Sequence, residues 1–114
     1  MSTAVAFAIP LLPGKTEQDK AAMHSCWHGD RRADYEASRK KLGITSESVW
    51  LQTTPTGTVA VVHLVADDLQ AAFTGLATSD DPFDHWFRNH CIDVHGIDLR
   101  EGFPPPEQIL GYTA

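Results

Sequence analysis

The sequence of 114 residues is short of cysteine, of basic side chains and of long apolar runs. Its two cysteines are too few for the disulfide framework that many small secreted domains need. No apolar run approaches the roughly 18 residues that cross a bilayer, so we expect no membrane-spanning segment. With 9 Lys and Arg against 15 Asp and Glu, the net charge of −6 disfavours general binding to nucleic-acid phosphates.

The sequence also lacks the short motifs that bind nucleotides or build common hydrolytic sites. Its 8 glycines are scattered, and none forms a GxGxxG or GxxxxGK phosphate loop. There is no GxSxG nucleophile turn, no HExxH zinc motif and no CxxC pair. The first apolar stretch has no basic residue before it and is interrupted by Pro10 and Pro13, so it is typical of a strand rather than a signal peptide. We therefore expect a cytoplasmic protein with neither a nucleotide-dependent nor a hydrolase activity.

Alternating and helical apolar patterns predict the order β-α-β-β-α-α-β within a single domain, residues 1–114. Gly29 is expected to bend or split the first helix, and Asp81-Pro82 and Gly96 should begin and end the last one. The predicted strands are 4–12, 44–54, 58–66 and 107–112, and the predicted helices are 16–41, 69–76 and 82–95.

This order is that of the split β-α-β, or ferredoxin-like, arrangement. We expect an α+β fold whose four-stranded antiparallel sheet has its helices on one face. Residues 58–66 are apolar on both faces except at His63, so a monomer would leave one apolar set in water. An uncovered apolar surface of that size usually marks an interface. The sequence therefore predicts a homodimer that packs sheet to sheet about a two-fold axis.

Element order, length and apolar pattern together resemble the dimeric α/β-barrel superfamily, from Val5 to Tyr112. The strings VAFAIPLLPGK, GTVAVVHLVADD and SDDPFDHWF resemble local sequence patterns of that superfamily, and the chain looks most like its small bacterial members. That group includes antibiotic-biosynthesis-type monooxygenases, small polyketide cyclases, muconolactone isomerases, sugar mutarotases and haem-binding relatives. The resemblance implies a pocket between the sheet and its helices. It transfers no catalytic residue, because no string matches an active-site motif and the fold alone says little about chemistry.

His63 is the predicted catalytic residue. It lies among valines in the most apolar predicted strand, where an imidazole needs a hydrogen-bond partner. Imidazole gains and loses a proton near neutral pH, which suits a general acid or base in a cavity. The alternative is a histidine that is merely packed in the core or at an interface.

A polar stripe and two tryptophans are the predicted substrate-binding residues. Helical spacing places four polar side chains along one line of the first helix, and aromatic side chains could wall a pocket for a flat molecule. Each has a plainer interpretation, as a solvated helix face or as core. The candidates are His24, His28, Arg31, Tyr35, Trp50 and Trp86.

Metal, haem and thiol chemistry are the remaining alternatives. His24 with His28, or Cys91 with His95, has the i, i+4 spacing that can chelate a metal. If the chain binds haem as some relatives do, His90 or His95 would be the axial ligand. A nucleophilic Cys26 would need a depressed thiol pKa. No metal site is predicted, because the carboxylate spacing of hydrolytic zinc sites is missing.

These observations favour a homodimer that binds a small apolar or aromatic molecule. The first hypothesis is a cofactor-independent enzyme of the monooxygenase, cyclase or isomerase type, with His63 moving the proton. The second is a non-catalytic ligand-binding or structural dimer. The third is a haem- or metal-binding protein that uses the helix histidines. Neither nucleic acid nor a membrane is an expected partner.

Overall fold

Three strands and four helices form the fold in a computed structural model, which describes residues 2–114. The order of elements matches the predicted β-α-β-β-α-α up to the last helix, except that the first helix is divided. A single 3-10 turn follows the last helix. The elements are β1 (Thr3–Pro10), α1 (Thr16–Trp27), α2 (Arg32–Lys41), β2 (Ile44–Thr54), β3 (Gly57–Ala66), α3 (Leu69–Thr78), α4 (Pro82–His95) and the turn Leu99–Glu101.

The sheet has three antiparallel strands in the order β1-β3-β2. The most apolar strand, β3, lies in the centre, where both of its edges are paired. Val62 is its reference position: it pairs with Phe7 of β1 and with Val49 of β2. Because side chains alternate along a strand, these three residues share one face of the sheet.

The prediction of a four-stranded sheet is wrong. Residues 107–112, the expected fourth strand, contain no regular structure and pair with no strand within residues 2–114. The preceding residues 104–106 are three prolines, which donate no backbone hydrogen bond and hold the chain extended. The segment has the apolar pattern of a strand, but no strand within residues 2–114 forms a ladder with it.

The predicted helix 16–41 is two helices, α1 and α2, divided at residues 28–31. The backbone N–H groups of Gly29 and Arg31 both donate to the carbonyl oxygen of Ser25, at 3.1 and 3.0 Å. A Cβ atom at Gly29 would lie 2.7 Å from the Cα atom of Ser25. The tight turn therefore requires glycine at this position, which confirms the expected effect of Gly29 on the helix.

The predicted ends of α4 are confirmed. The Asp81 side chain accepts a hydrogen bond from the N–H of Phe83 at 3.0 Å, and Pro82 occupies the first turn. Gly96 ends the helix with a φ of 70°, in the left-handed region that favours glycine. With 14 residues α4 is the longest helix, and no helix in the described part of the chain has the length and apolarity needed to cross a membrane.

The two faces of the sheet differ in burial. On β3, Ala60, Val62, Leu64 and Ala66 are buried on the face that the helices cover, while the alternate residues are half-buried. We call the other side the open face; it carries Ala4, Ala6, Ala8, Trp50, Val61 and His63.

A buried carboxylate fastens α4 to the end of α2. Asp84 is fully buried, and its two oxygens accept hydrogen bonds from Ser38, Ser79 and Lys41. Burial alone would raise the pKa of Asp84, but these donors lower it below its usual value. The cluster holds the helices that frame the site described next.

Candidate functional site

A cavity of about 470 Å³ lies between the helix-covered face of the sheet and the helices. Its volume falls within the range of roughly 300–1,000 Å³ that is usual for small-molecule sites. Most of its wall is apolar, so it suits a small ligand with a large apolar part. Representative wall residues are Phe7, Val62, Leu64, Phe73, Leu76 and Phe87.

One polar pair in the cavity wall joins α4 to α1. The Nε2 atom of His90 lies 2.7 Å from the Oδ1 atom of Asp19, and both side chains are buried. An ionised carboxylate can only accept, so Nε2 carries the hydrogen and donates it. In the neutral imidazole this leaves Nδ1 as an unprotonated nitrogen.

The Nδ1 atom of His90 is available to a ligand. Every fully buried side-chain nitrogen or oxygen within residues 2–114 has a hydrogen-bond partner. His90 makes its one side-chain hydrogen bond in that range through Nε2. Nδ1 is therefore not fully buried, and His90 is one of the residues that line the cavity. By the same reasoning the Oδ2 atom of Asp19 is also accessible.

Several contacts fix the position of this pair. Lys15 at the start of α1 contacts Asp93 of α4 at 3.0 Å, and Gln18 donates to the same carboxylate. The indole of Trp86 stacks on the imidazole of His90, with ring centroids 5.5 Å apart. The guanidinium of Arg31 in turn lies 4.0 Å from the centroid of Trp86. His90 is thus held by one hydrogen bond and one stacked ring.

A second polar group in the wall is formed by α2 and β2. The hydroxyl of Tyr35 donates to Oε1 of Glu47 at 2.6 Å, and Nε of Arg39 donates to the same oxygen at 2.8 Å. Tyr35 and Arg39 are four residues apart, so both lie on the same face of α2. Burial and the neighbouring Glu47 carboxylate raise the pKa of Tyr35 above its usual value. Tyr35 is therefore a neutral donor.

Arg39 keeps one nitrogen free of protein partners. Its Nε atom donates to Glu47 and its Nη1 atom to Ser38, while Nη2 has no hydrogen-bond partner within residues 2–114. The side chain is buried and lines the cavity, with its guanidinium over the rings of Tyr35 and Phe87. Arg39 can therefore present a cationic donor to a ligand oxygen.

Both cysteines border the cavity as buried thiols. Burial raises the pKa of Cys91 to about 12 and also raises that of Cys26. Both are protonated at neutral pH, so neither has the depressed pKa of a nucleophilic thiolate. No three His, Cys, Asp or Glu side chains are grouped as a metal site among residues 2–114.

The structure brings together only part of the set chosen from the sequence. Tyr35 lines the cavity and Trp50 borders it. Trp86 and Arg31 lie behind His90, where they position it rather than line the cavity.

The remaining three predicted residues lie elsewhere. His24 on α1 and His28 directly after it are exposed, with their rings 5.4 Å apart. His63 lies on the open face between Ala6 and Ser48 and does not line the cavity. Its catalytic role stays a prediction.

Four residues of the site were not assigned to a catalytic or substrate-binding role from the sequence: Asp19, Arg39, Glu47 and His90. His90 shares the apolar stripe of α4 with Phe83, Phe87 and Val94, and this pattern already placed it on the buried face. On β2, Glu47 alternates with Val49 and Leu51, so the sequence pattern already placed it on the same face of the strand as these apolar residues. No local spacing could pair Asp19 with a residue 71 positions away.

Comparisons with protein-family models, with curated protein sequences and with solved structures found no match for this chain. The resemblance to the dimeric α/β-barrel superfamily therefore stays a prediction from the sequence.

Proposed function

We propose that this protein binds a small, largely apolar or aromatic molecule in the cavity and removes a proton from it. His90 is the general base and Asp19 is the residue that orients it. The observation that carries the proposal is the buried pair itself: Nε2 of His90 is bound to Asp19, Nδ1 has no protein partner among residues 2–114, and both residues line the cavity.

The pair has the geometry that general-base catalysis needs. Asp19 accepts the Nε2 hydrogen and so selects the tautomer in which Nδ1 has a free electron pair. When Nδ1 takes a proton from the ligand, the imidazolium that forms lies beside a carboxylate, which stabilises it. An apolar ligand that fills the cavity displaces water that would otherwise compete for Nδ1 and weaken the charge interactions.

The second polar group gives the ligand an orientation. Removing a proton from carbon or from a phenol leaves negative charge on an oxygen of an enol or phenol type. The free Nη2 atom of Arg39 can donate to such an oxygen, and Glu47 holds that guanidinium in place. Arg31 and Tyr35 were predicted from the sequence as substrate-binding residues; for this role the geometry favours Arg39, which lines the cavity.

The reaction classes that begin with this step are isomerisation, cyclisation and the oxygenation of an activated phenol by dioxygen. None of the three requires a bound cofactor when the substrate itself is activated by proton loss. The resemblance to the dimeric α/β-barrel superfamily supports the same classes. We therefore keep a cofactor-independent enzyme as the proposed function.

We also propose that the protein is a homodimer. Three alanines of β1 are exposed on the open face, and Trp50, on β2 at the other edge of the same face, is 58% exposed. Indole rings are enriched at interfaces because they bury a large area. Measuring the mass in solution tests this part independently of catalysis: twice the chain mass supports it, and the chain mass overturns it.

The base is tested with a nitrobenzisoxazole as probe substrate. A base removes the proton on its ring carbon, the N–O bond breaks, and a coloured cyanophenolate forms with no other reactant. The probe is small, flat and apolar, as the cavity requires. We expect the unmodified protein to accelerate this ring opening and His90→Gln to lose at least about a hundredfold in rate.

His63→Gln is the matched control, because it changes the competing histidine on the open face in the same way. Retained rate in His63→Gln with loss in His90→Gln supports the proposal. The opposite pattern overturns it in favour of His63. Binding of the probe without any acceleration would make the protein a ligand-binding dimer and would also overturn the proposed catalysis.

A further inference from the structure

The end of the chain is an apolar segment without a partner. Phe103 is its last anchored residue, with its ring centroid 4.9 Å from that of Phe7 in β1. Beyond it, Ile109, Leu110 and Tyr112 are 89%, 84% and 88% exposed. Side chains of this size each gain roughly 1.5–3 kcal/mol when they are fully buried. We call residues 107–112 the tail segment.

One edge of the sheet is also unpaired. Among residues 2–114, β1 pairs with β3 alone, and of its remaining backbone groups the carbonyl of Pro10 accepts a hydrogen bond from Nδ1 of His95 at 3.0 Å. No second strand pairs with the rest of its outer edge in this range. Proteins usually protect such an edge with charged side chains or an interior proline. β1 has no charged residue, and its single proline, Pro10, is the last residue of the strand. The edge is thus open to another strand.

The tail segment and this edge match in length and chemistry. The segment has 6 residues and β1 has 8, enough for a full ladder. In an extended segment Leu110 and Tyr112 share one side and Ile109 takes the other. Both sides of the edge are apolar, since Phe7 and the alanines of β1 lie on opposite faces.

Three prolines, residues 104–106, precede the tail segment. A run of three prolines favours an extended spacer of about 9 Å rather than a reversal of the chain. Among residues 2–114 the tail segment pairs with no strand, so both it and most of the outer edge of β1 remain open to a second copy. Exchange of an identical element between two copies is a low-cost route to a dimer.

We propose that the tail segment of each chain pairs with the β1 edge of a second copy, so that two chains exchange their ends. Each chain's own sheet keeps its three strands, and the added strand belongs to the other copy. Because Phe7, Ile9 and Phe103 border the cavity, the exchanged segment closes its β1 side. The inference rests on the homodimer of the proposed function.

Disulfide trapping between separately substituted chains tests the exchange. One chain carries Ala4→Cys, Ala6→Cys or Ala8→Cys, and the other carries Ile109→Cys or Leu110→Cys. The two neighbouring tail positions project to opposite sides, so one of them faces the alanines in any register. The chains are mixed in denaturant, refolded together and oxidised with copper phenanthroline. We expect a covalent dimer from at least one combination.

Controls separate the three possible arrangements. Thr56→Cys in the β2–β3 turn, mixed with either tail variant, should give no dimer, and neither should the unsubstituted chain. Linkage within a single chain carrying both substitutions, without linkage between mixed chains, overturns the exchange. A native dimer with no linkage in any combination also overturns it but leaves the homodimer standing. A monomeric native mass overturns both.

Discussion

Two buried carboxylates, Asp84 and Asp19, occupy similar depths in this fold but differ in how completely the protein satisfies them. Both oxygens of Asp84 accept hydrogen bonds from Ser38, Ser79 and Lys41. Asp19 contacts only His90 through one oxygen, and the pair retains an oxygen and a nitrogen that face accessible space.

The difference separates a structural cluster from a functional one. A buried charge that is fully paired stabilises one arrangement of the helices and has nothing left to offer a ligand. A buried pair that keeps unused hydrogen-bonding atoms carries a desolvation penalty that no protein partner offsets. We propose that a ligand in the cavity forms the missing hydrogen bonds, and that this is why the pair is left incomplete.

Asp84→Ala should have the largest effect on stability, because it removes the centre of the structural cluster. It removes the acceptor of three donors and leaves the buried Ser38 hydroxyl without an acceptor for its hydrogen. We expect the free energy of unfolding to fall by about 3 kcal/mol, as measured by urea denaturation. An unchanged midpoint would show that the cluster contributes nothing to stability.

The same cluster predicts a pH dependence of stability. The folded pKa of Asp84 is lowered, so its contribution is complete above the unfolded pKa of about 3.9 and is lost as the pH falls through the folded value. We expect the unmodified protein to lose more stability than Asp84→Asn as the pH is lowered below about 4. Equal losses in both proteins would contradict this assignment.

Asp19→Asn should abolish most of the activity of the functional pair while the protein stays folded. An asparagine amide can donate to Nε2 and reverse the tautomer of His90, which places the hydrogen on Nδ1. We expect the rate of benzisoxazole ring opening to fall by about 10²- to 10⁴-fold. The free energy of unfolding should change by less than about 1.5 kcal/mol. A normal rate would remove Asp19 from the mechanism.

Tyr35→Phe tests the second polar group, where the hydroxyl of Tyr35 donates to Glu47. The variant loses one hydrogen bond to Glu47, for which we expect a destabilisation of about 1 kcal/mol. The phenol of Tyr35 has a raised pKa. In an ultraviolet titration of the unmodified protein, one tyrosine should therefore ionise above the usual value of about 10. This late transition should be absent from Tyr35→Phe, and its persistence would contradict the assignment.

His24→Gln and His28→Gln should have the smallest effects. Both side chains are exposed, His24 on α1 and His28 directly after it, and neither lines the cavity. We expect stability changes within about 0.5 kcal/mol and an unchanged rate of ring opening. A loss of rate in either variant would show that the polar stripe of α1 contributes to the site as the sequence suggested.

Most of the fold could be predicted because its signals are local. The alternation in β3, the cap at Asp81 and the glycines at positions 29 and 96 each act within a few residues. The prediction that the tail segment is a strand of this sheet was wrong for the opposite reason. Its apolar pattern is that of a strand, but pairing depends on a neighbouring strand, and none within residues 2–114 pairs with it.

The site was harder to predict because its pairs are distant in sequence. Asp19 and His90 are 71 residues apart, and only the packing of α1 on α4 joins them. His63 was preferred since it interrupts a run of valines, but β3 has two faces and its position in the alternation places it away from the helices. A polar residue in an apolar stripe indicates a site only when that stripe borders the cavity.

The most direct test of the central claim is a proton–nitrogen NMR spectrum of the histidine rings, recorded with and without a naphthol as cavity ligand. His90→Gln identifies the signals of His90 among the 6 histidines. We expect Nε2 to carry the hydrogen and the bare Nδ1 resonance to shift as the naphthol saturates the protein. A hydrogen on Nδ1, or saturation that leaves His90 unmoved, would contradict the assignment of His90 as the base.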